Sequence, residues 1–203
     1  MLEIQMPKSV HAFSANTYVI FSGEECAVID PTVQYSKERF AKKVKYVLLT
    51  HSHFDHILEI DSWAASGAEV IISEKELTAL SDPYRNCYKL FYGEERGYFG
   101  KARGVSEGDI LPFGDTEITV MELPGHTVGS VAYVCDDAVF VGDTVFDGGG
   151  FGRWDLPSGD YRTLIDSINR VLTIGDSKIL YPGHGGECTV EKFKTDYKTK
   201  RIL

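Results

Sequence analysis

Thr50-His51-Ser52-His53-Phe54-Asp55-His56 directly follows an apolar run at residues 46–49 and places three imidazoles and one carboxylate close together. In an extended segment alternate side chains share a face, so the first two histidines and Asp55 point one way and His56 points another. Adjacent ligands that point apart can serve two neighbouring ions. The stretch therefore predicts half of a two-metal site at the end of a buried strand.

The length and net charge of the chain limit the number of domains and the classes of function it can have. The 203 residues suit one domain over 1–203, and a net charge of −9 argues against a nucleic-acid partner, which would require a basic patch. The N-terminus lacks a basic and apolar leader, and no apolar run is long enough for a membrane span. The four scattered cysteines form no Cys-x-x-Cys pair and are expected to be reduced thiols. A cytoplasmic protein without a membrane partner is expected.

The remaining pattern consists of two similar successions of strands and helices. In the first succession, strands are predicted over 2–6, 17–22, 26–30, 45–50 and 69–73, and helices over 36–43, 57–66 and 74–80. In the second, strands are predicted over 117–122, 131–135, 138–141 and 178–181, with one helix capped by Ser158 and another from Val190. This order favours an α/β fold with a two-sheet core flanked by helices.

The segment from Asp82 to Gly104 interrupts this rhythm with many aromatic and basic residues. A long segment of weak periodicity is often an active-site lid. An insertion that packs its aromatic rings on the core or on a second subunit is an equal alternative, and the oligomeric state stays open. If the segment selects the substrate, the cations that would meet a carboxylate are Arg85, Arg96, Lys101 and Arg103.

Three further ligand candidates follow predicted strands. They are the histidine of Pro124-Gly125-His126, the carboxylate of Gly142-Asp143 and the histidine of Pro182-Gly183-His184. Open sheets build sites in this way, at the carboxyl ends of their strands. His11 lies outside any such context and is expected to be an ordinary histidine.

Together these motifs resemble those of the metallo-β-lactamase fold hydrolases, over essentially the whole chain. The phrase at residues 152–157, Gly-Arg-Trp-Asp-Leu-Pro, is similar to the G-R-T-D-L-P of the glyoxalase II-like branch. The resemblance implies an αβ/βα four-layer sandwich. It also implies a ligand set: His51, His53 and His126 for metal 1, Asp55, His56 and His184 for metal 2, and Asp143 as the bridge.

The function implied is that of a metal-dependent hydrolase, and a thioester such as S-lactoylglutathione is the expected substrate. Two divalent ions sharing a water would lower its pKa to about 7 and supply hydroxide, with Asp55 and Asp143 as the catalytic carboxylates. Zn²⁺ is favoured, and Fe or Mn²⁺ also suits imidazole and carboxylate ligands. The expected partner is a small, anionic thioester.

Other functions remain open. A mononuclear iron persulfide dioxygenase shares much of the motif set, and a lactonase of the same fold or a non-catalytic metal-binding protein is also compatible with it. Two departures bear on glutathione: Trp154 replaces the usual Thr, and the chain ends at Leu203 without the helical domain that supplies glutathione contacts in full-length glyoxalase II. Weak discrimination for glutathione is therefore expected.

Overall fold

The computed structural model describes residues 2–202, which form two six-stranded mixed sheets and a short hairpin. The first sheet contains, in order, β1 (Glu3–Gln5), β2 (Tyr18–Ser22), β3 (Glu25–Ile29), β4 (Lys43–Leu48), β5 (Glu69–Ser73) and β6 (Arg103–Val105). The chain continues with β7 (Ile110–Phe113), β8 (Thr116–Glu122), β9 (Val131–Cys135), β10 (Ala138–Gly142), the hairpin strands β11 (Val145–Phe146) and β12 (Gly150–Phe151), then β13 (Ile179–Pro182) and β14 (Cys188–Thr189). The second sheet has the order β14-β13-β10-β9-β8-β7.

Four helices flank the sheets, and their bounds are α1 (Ile60–Ala64), α2 (Tyr88–Tyr92), α3 (Tyr161–Val171) and α4 (Val190–Ile202). The sheets face each other through alternate side chains, such as Ile20 and Leu48 from the first and Val120 and Tyr133 from the second. The other face of the first sheet packs on Trp63 of α1, and that of the second packs on α3 and α4. The predicted αβ/βα four-layer sandwich is confirmed.

Three local predictions are wrong. The helix predicted over 74–80 is only the 3₁₀ turn Glu74–Glu76, followed by further turns. Residues 36–43 form a single turn rather than a helix: the Phe40 amide donates to the Ser36 carbonyl oxygen, and Lys43 already begins β4. Phe40 is fully buried and its ring lies 5.0 Å from that of Trp63, so tertiary packing overrides the local helix preference. Helix α3 is capped by Asp160, whose Oδ1 accepts from the Thr163 amide at 2.8 Å, and not by Ser158.

The aromatic segment forms one wall beside the His-rich motif. The backbone amide of Phe54 donates to the Asn86 carbonyl oxygen at 2.8 Å, which ties this segment to the motif. The rings of Tyr88, Phe91 and Tyr92 on α2 lie 5.5, 5.3 and 5.2 Å from the Phe54 ring. The segment therefore packs aromatic rings on the core, as one of the two alternatives predicted.

All the predicted ligands follow strands whose carboxyl ends meet at one end of the sandwich. Strands β3 and β4 run parallel in the first sheet, and β10 and β13 run parallel in the second, where β8 shares their direction through the antiparallel β9. The residues after these strands are thereby brought together.

Over residues 2–202, no helix has both the length and the apolar character that a membrane crossing requires.

Candidate metal centre

Three buried histidines point one nitrogen each at a common centre. His51 Nε2 lies 3.1 Å from His53 Nδ1, and His126 Nε2 lies 3.2 Å and 2.9 Å from these two atoms. A tetrahedral ion with metal–nitrogen bonds of about 2.0–2.1 Å would separate its ligand nitrogens by about 3.3 Å. The triangle of nitrogens therefore fits one face of such a site.

Hydrogen bonds at Nδ1 determine the tautomer of two of these rings, those of His51 and His126. His126 Nδ1 must donate to the Arg153 carbonyl oxygen, at 2.7 Å, because a carbonyl only accepts. The Thr50 hydroxyl donates to Asp30 Oδ2 at 2.7 Å, so it accepts from His51 Nδ1 at 3.1 Å. Both Nε2 atoms then carry lone pairs that face each other, an arrangement that a cation between them would stabilise.

A second group of ligand atoms lies beside the first and contains His56, Asp55 and His184. His184 Nε2 is 3.2 Å from Asp55 Oδ2, and His56 Nε2 is 3.9 Å from the same oxygen. His56 Nε2 is buried, and within the described residues no hydrogen-bond partner reaches it. In the neutral ring with its proton on Nδ1, the lone pair of Nε2 and the adjacent carboxylate suit a second cation.

Asp143 lies between the two groups. Its Oδ1 is 3.3 Å from His56 Nε2, and its Oδ2 is 3.7 Å from His126 Nε2 and 3.6 Å from His184 Nε2. Burial raises the pKa of this carboxyl, but the neighbouring His56 imidazole outweighs that effect, so the net shift is downward and the group stays ionised. The structure thus brings all seven predicted ligands together, with Asp143 placed as a bridge would be.

The two histidine environments differ in charge. Burial, helped by the adjacent His126, lowers the pKa of His53 to about 3, which keeps its ring neutral and able to bind a metal. Burial also lowers the pKa of His56, but Asp30 and Asp143 reverse that effect and the net shift is well upward. His53 is therefore a neutral ligand, whereas His56 lies among carboxylates.

Asp30 is a site residue that the sequence analysis missed. This carboxylate is 2% exposed and lies just after β3. It accepts from the Thr50 amide and hydroxyl, and its Oδ2 is 2.8 Å from His56 Nδ1. In the sequence, the position of Asp30 at a strand end, before Pro31, could have indicated that it belongs to the site. Asp30 orients His56 so that Nε2 faces Asp143.

The loop that carries His184 is held from the N-terminal side. The Asn16 amide donates to the Gly183 carbonyl oxygen at 2.6 Å, and Asn16 Nδ2 donates to the carbonyl oxygens of Pro182 and Gly185, each at 3.0 Å. A Cβ at Gly183 would lie only 2.1 Å from Asp143 Oδ1. Glycine in the Pro-Gly-His turn therefore leaves room for the carboxylate between the two groups.

The site forms the floor of a cavity of about 610 Å³. Its wall includes Phe13, Phe91 and Tyr92, which are 72, 51 and 49% exposed. Cys87 also lines it, and burial raises the pKa of this thiol to about 12, so it is protonated at neutral pH. All four cysteines are buried, and none is in a disulfide in the part of the chain that the structure describes.

The cations predicted to face the substrate lie elsewhere. Arg103 pairs with Glu69 at 2.7 Å on the first sheet, Arg85 donates to Thr78 and Arg96 lies over the Tyr88 ring, while Lys101 borders a separate cavity. Among the described residues that line the main cavity, Arg153 is the one lysine or arginine. It belongs to the Gly-Arg-Trp-Asp-Leu-Pro phrase, which in the sequence could have indicated that it lies at the site.

His11 pairs with Glu59 at 2.8 Å and lies outside the ligand groups.

The comparisons identify the family. The model of the metallo-beta-lactamase superfamily matches residues 11–184, and the chain therefore belongs to this superfamily. It is 32% identical over 196 residues to the hydroxyacylglutathione hydrolase GloC of Haemophilus influenzae, covering 91% of this chain and 92% of that one.

Two solved structures have the same fold. BLEG-1, described as a B3 metallo-beta-lactamase, has a TM-score of 0.82 and 29% identity, with 95% of each chain covered. TTHA1623 in a di-iron-bound form has a TM-score of 0.79 and 27% identity, with 94% of this chain and 97% of that chain covered. Two of these descriptions name different activities and the third names only a metal, so together they fix the fold and leave the chemistry of this chain to its own residues.

Proposed function

We propose that this protein is a metal-dependent hydrolase that cleaves thioesters of the S-lactoylglutathione kind. The observation that carries the proposal is the pair of ligand groups with Asp143 between them, on the floor of an open cavity. Two divalent ions held there would lower the pKa of a shared water and polarise a carbonyl oxygen. Zn²⁺ suits the tetrahedral three-histidine face, and Fe or Mn²⁺ also suits the ligand types.

The chain's own residues support hydrolysis by water rather than by a covalent intermediate. Cys87, the thiol in the cavity, is protonated at neutral pH and is a poor nucleophile in that state. Asp55 and Asp143 keep carboxylate oxygens at the ligand groups, where they can orient a water. A thiolate leaving group has a pKa of about 8.5, so it departs without a strong acid.

The cavity favours a substrate with both an apolar and an anionic part. Phe91 and Tyr92 offer half-exposed rings on one wall, and Arg153 supplies a positive charge. Similarity to GloC supports a hydroxyacyl thioester within this class. A β-lactam is the second candidate, supported by the likeness to the B3 metallo-beta-lactamase structure.

The proposal is tested with protein loaded to saturation with Zn²⁺, Fe²⁺ or Mn²⁺. The assay compares S-lactoylglutathione, simpler thioesters of the same acyl group, a lactone and a β-lactam. We expect the largest kcat/KM for a thioester. Turnover of the β-lactam or lactone alone, by a protein with full metal content, would overturn the thioester assignment.

Arg153 is expected to select anionic substrates. Its guanidinium pairs with Asp155 at 2.8 Å and is about half exposed, so the effect of losing it is moderate. Arg153→Met should raise KM about tenfold for an anionic thioester, close to the value of one charge-assisted hydrogen bond at a wet site, and leave a neutral thioester nearly unchanged.

The matched control is Arg103→Met, because Arg103 pairs with Glu69 outside the cavity. That variant should not change KM for either substrate. Equal effects of Arg153→Met on charged and neutral thioesters would show that Arg153 supports the loop and does not recognise the anion.

A further inference from the structure

Glu76 is a carboxylate that lies within the protein close to the three-histidine face and belongs to neither ligand group. It ends the 3₁₀ turn Glu74–Glu76 that follows β5, and it is 1% exposed. Its Oε2 accepts from the hydroxyl of Ser52 at 2.5 Å and from the amide of Ser52 at 3.3 Å, and its Oε1 accepts from the amide of Gly129 at 3.2 Å. All three donors are neutral.

These contacts join the two loops that supply the three-histidine face. Ser52 lies between His51 and His53 after β4 of the first sheet, whereas Gly129 follows His126 in the connection from β8 to β9 of the second sheet. A Cβ at Gly129 would lie 2.7 Å from Glu76 Cγ, so the backbone of that loop approaches the carboxylate closely. Glu76 therefore bridges the two loops through its side chain, beside the backbone hydrogen bond from the Val131 amide to the Thr50 carbonyl oxygen at 2.9 Å.

A buried carboxylate is a costly way to hold a fold together. An ion inside a protein loses its hydration, and an apolar side chain of similar volume often stabilises the folded state as well or better. A buried carboxylate at this place is explained if a cation binds only when the nitrogens on the two loops keep their spacing to a few tenths of an ångström.

We propose that Glu76 is a positioning residue for the metal held by His51, His53 and His126. It acts through Ser52 and Gly129 and does not touch the ion or the substrate. The inference rests on the proposed metal site and is independent of the substrate. Wild-type protein that binds no metal would contradict the proposed function, whereas unchanged metal binding in Glu76 variants would contradict this inference alone.

Three substitutions of Glu76 distinguish the effect of its side-chain length from the effect of its charge. Glu76→Gln keeps the length and one acceptor oxygen, so it can still hold one loop. Glu76→Asp keeps the charge but is one methylene shorter, so it cannot reach both loops. Glu76→Ala removes both features.

The readouts are the Zn²⁺ affinity of each site, measured by competition with a chelating dye, the absorption spectrum of the Co²⁺-loaded protein, and the unfolding temperature of the metal-free protein. For positioning, we expect Glu76→Asp and Glu76→Ala to weaken one of the two ions by about 10–100-fold, with Glu76→Gln between them and wild type. The Co²⁺ spectrum should change in the same order.

Two variants serve as controls. Glu74→Ala removes an exposed carboxylate from the same turn and should leave both affinities unchanged. Asn16→Ala loosens the loop that carries His184 and should weaken the other ion. Ser52→Ala is the milder test if a Glu76 variant fails to fold, because it removes one donor and should weaken the same ion several-fold.

Near-wild-type affinity in Glu76→Asp, with a large loss in Glu76→Gln, would show that charge matters and span does not. A lower unfolding temperature with unchanged affinities in the folded protein would show a purely structural role. Either result overturns the proposal.

Discussion

Asp143→Asn is expected to lower kcat/KM at least a hundredfold and to reduce the amount of bound metal. A hundredfold loss is the scale expected when a residue that holds a catalytic metal is altered. The Oδ1 of Asp143 lies 3.3 Å from His56 Nε2 of the second ligand group, and its Oδ2 lies 3.7 Å from His126 Nε2 of the first. Asparagine keeps the shape but replaces one oxygen with a donor that would face a ligand nitrogen. It also removes the negative charge that offsets two cations.

The measurement is kcat/KM together with metal content after dialysis. Asp147→Asn is the matched control, because Asp147 is a neighbouring exposed carboxylate that pairs with Lys192 and does not line the cavity. Near-normal activity and two bound ions in Asp143→Asn would refute the bridging role.

Asp30→Asn should have the second largest effect, although Asp30 belongs to neither ligand group. Asp30 Oδ2 lies 2.8 Å from His56 Nδ1, which makes Nδ1 the protonated nitrogen of the neutral ring and leaves a lone pair on Nε2. An asparagine amide at this place would donate to Nδ1 and move the ring proton to Nε2. The nitrogen that faces Asp143 would then be unable to bind a cation.

We expect Asp30→Asn to weaken one ion by about 10–100-fold and to lower kcat/KM by at least the same factor. Metal titration measures the loss of affinity, and the ¹⁵N shifts of His56 in the metal-free protein, recorded at a pH above the pKa of that ring, measure the change of tautomer. Asp61→Asn, on the partly exposed surface of α1, controls for the loss of one charge. A His56 ring that stays protonated on Nδ1 in Asp30→Asn, with two ions still bound, would contradict this explanation.

The ligands could be predicted because each follows an apolar strand. Strands that are buried on both faces read as apolar runs, and a polar residue directly after such a run is brought to the edge of the sheet. His51 after β4 and Asp143 after β10 are of this kind. The two successions of strands and helices likewise predicted a two-sheet core, and the structure shows Val19 and Ile20 of β2 on its two faces.

Features set by tertiary contacts could not be predicted. Residues 36–43 have a helical composition, yet burial of Phe40 draws the chain into a turn. Glu74 and Glu76 stand in the same charged stretch, and only the packing of the second sheet buries one and exposes the other. The cations of the aromatic segment were predicted to meet the substrate, but Arg103 pairs with Glu69 on the neighbouring strand.

The two-ion site is tested most directly by counting metals. Protein purified without chelator is saturated with Zn²⁺ or Fe²⁺, freed of excess metal, and analysed for metal and protein by mass spectrometry of the elements and amino-acid analysis. Two ions per chain are expected, because His51, His53 and His126 form one ligand group and Asp55, His56 and His184 form another around Asp143. A firm maximum of one ion per folded chain under metal excess would contradict it.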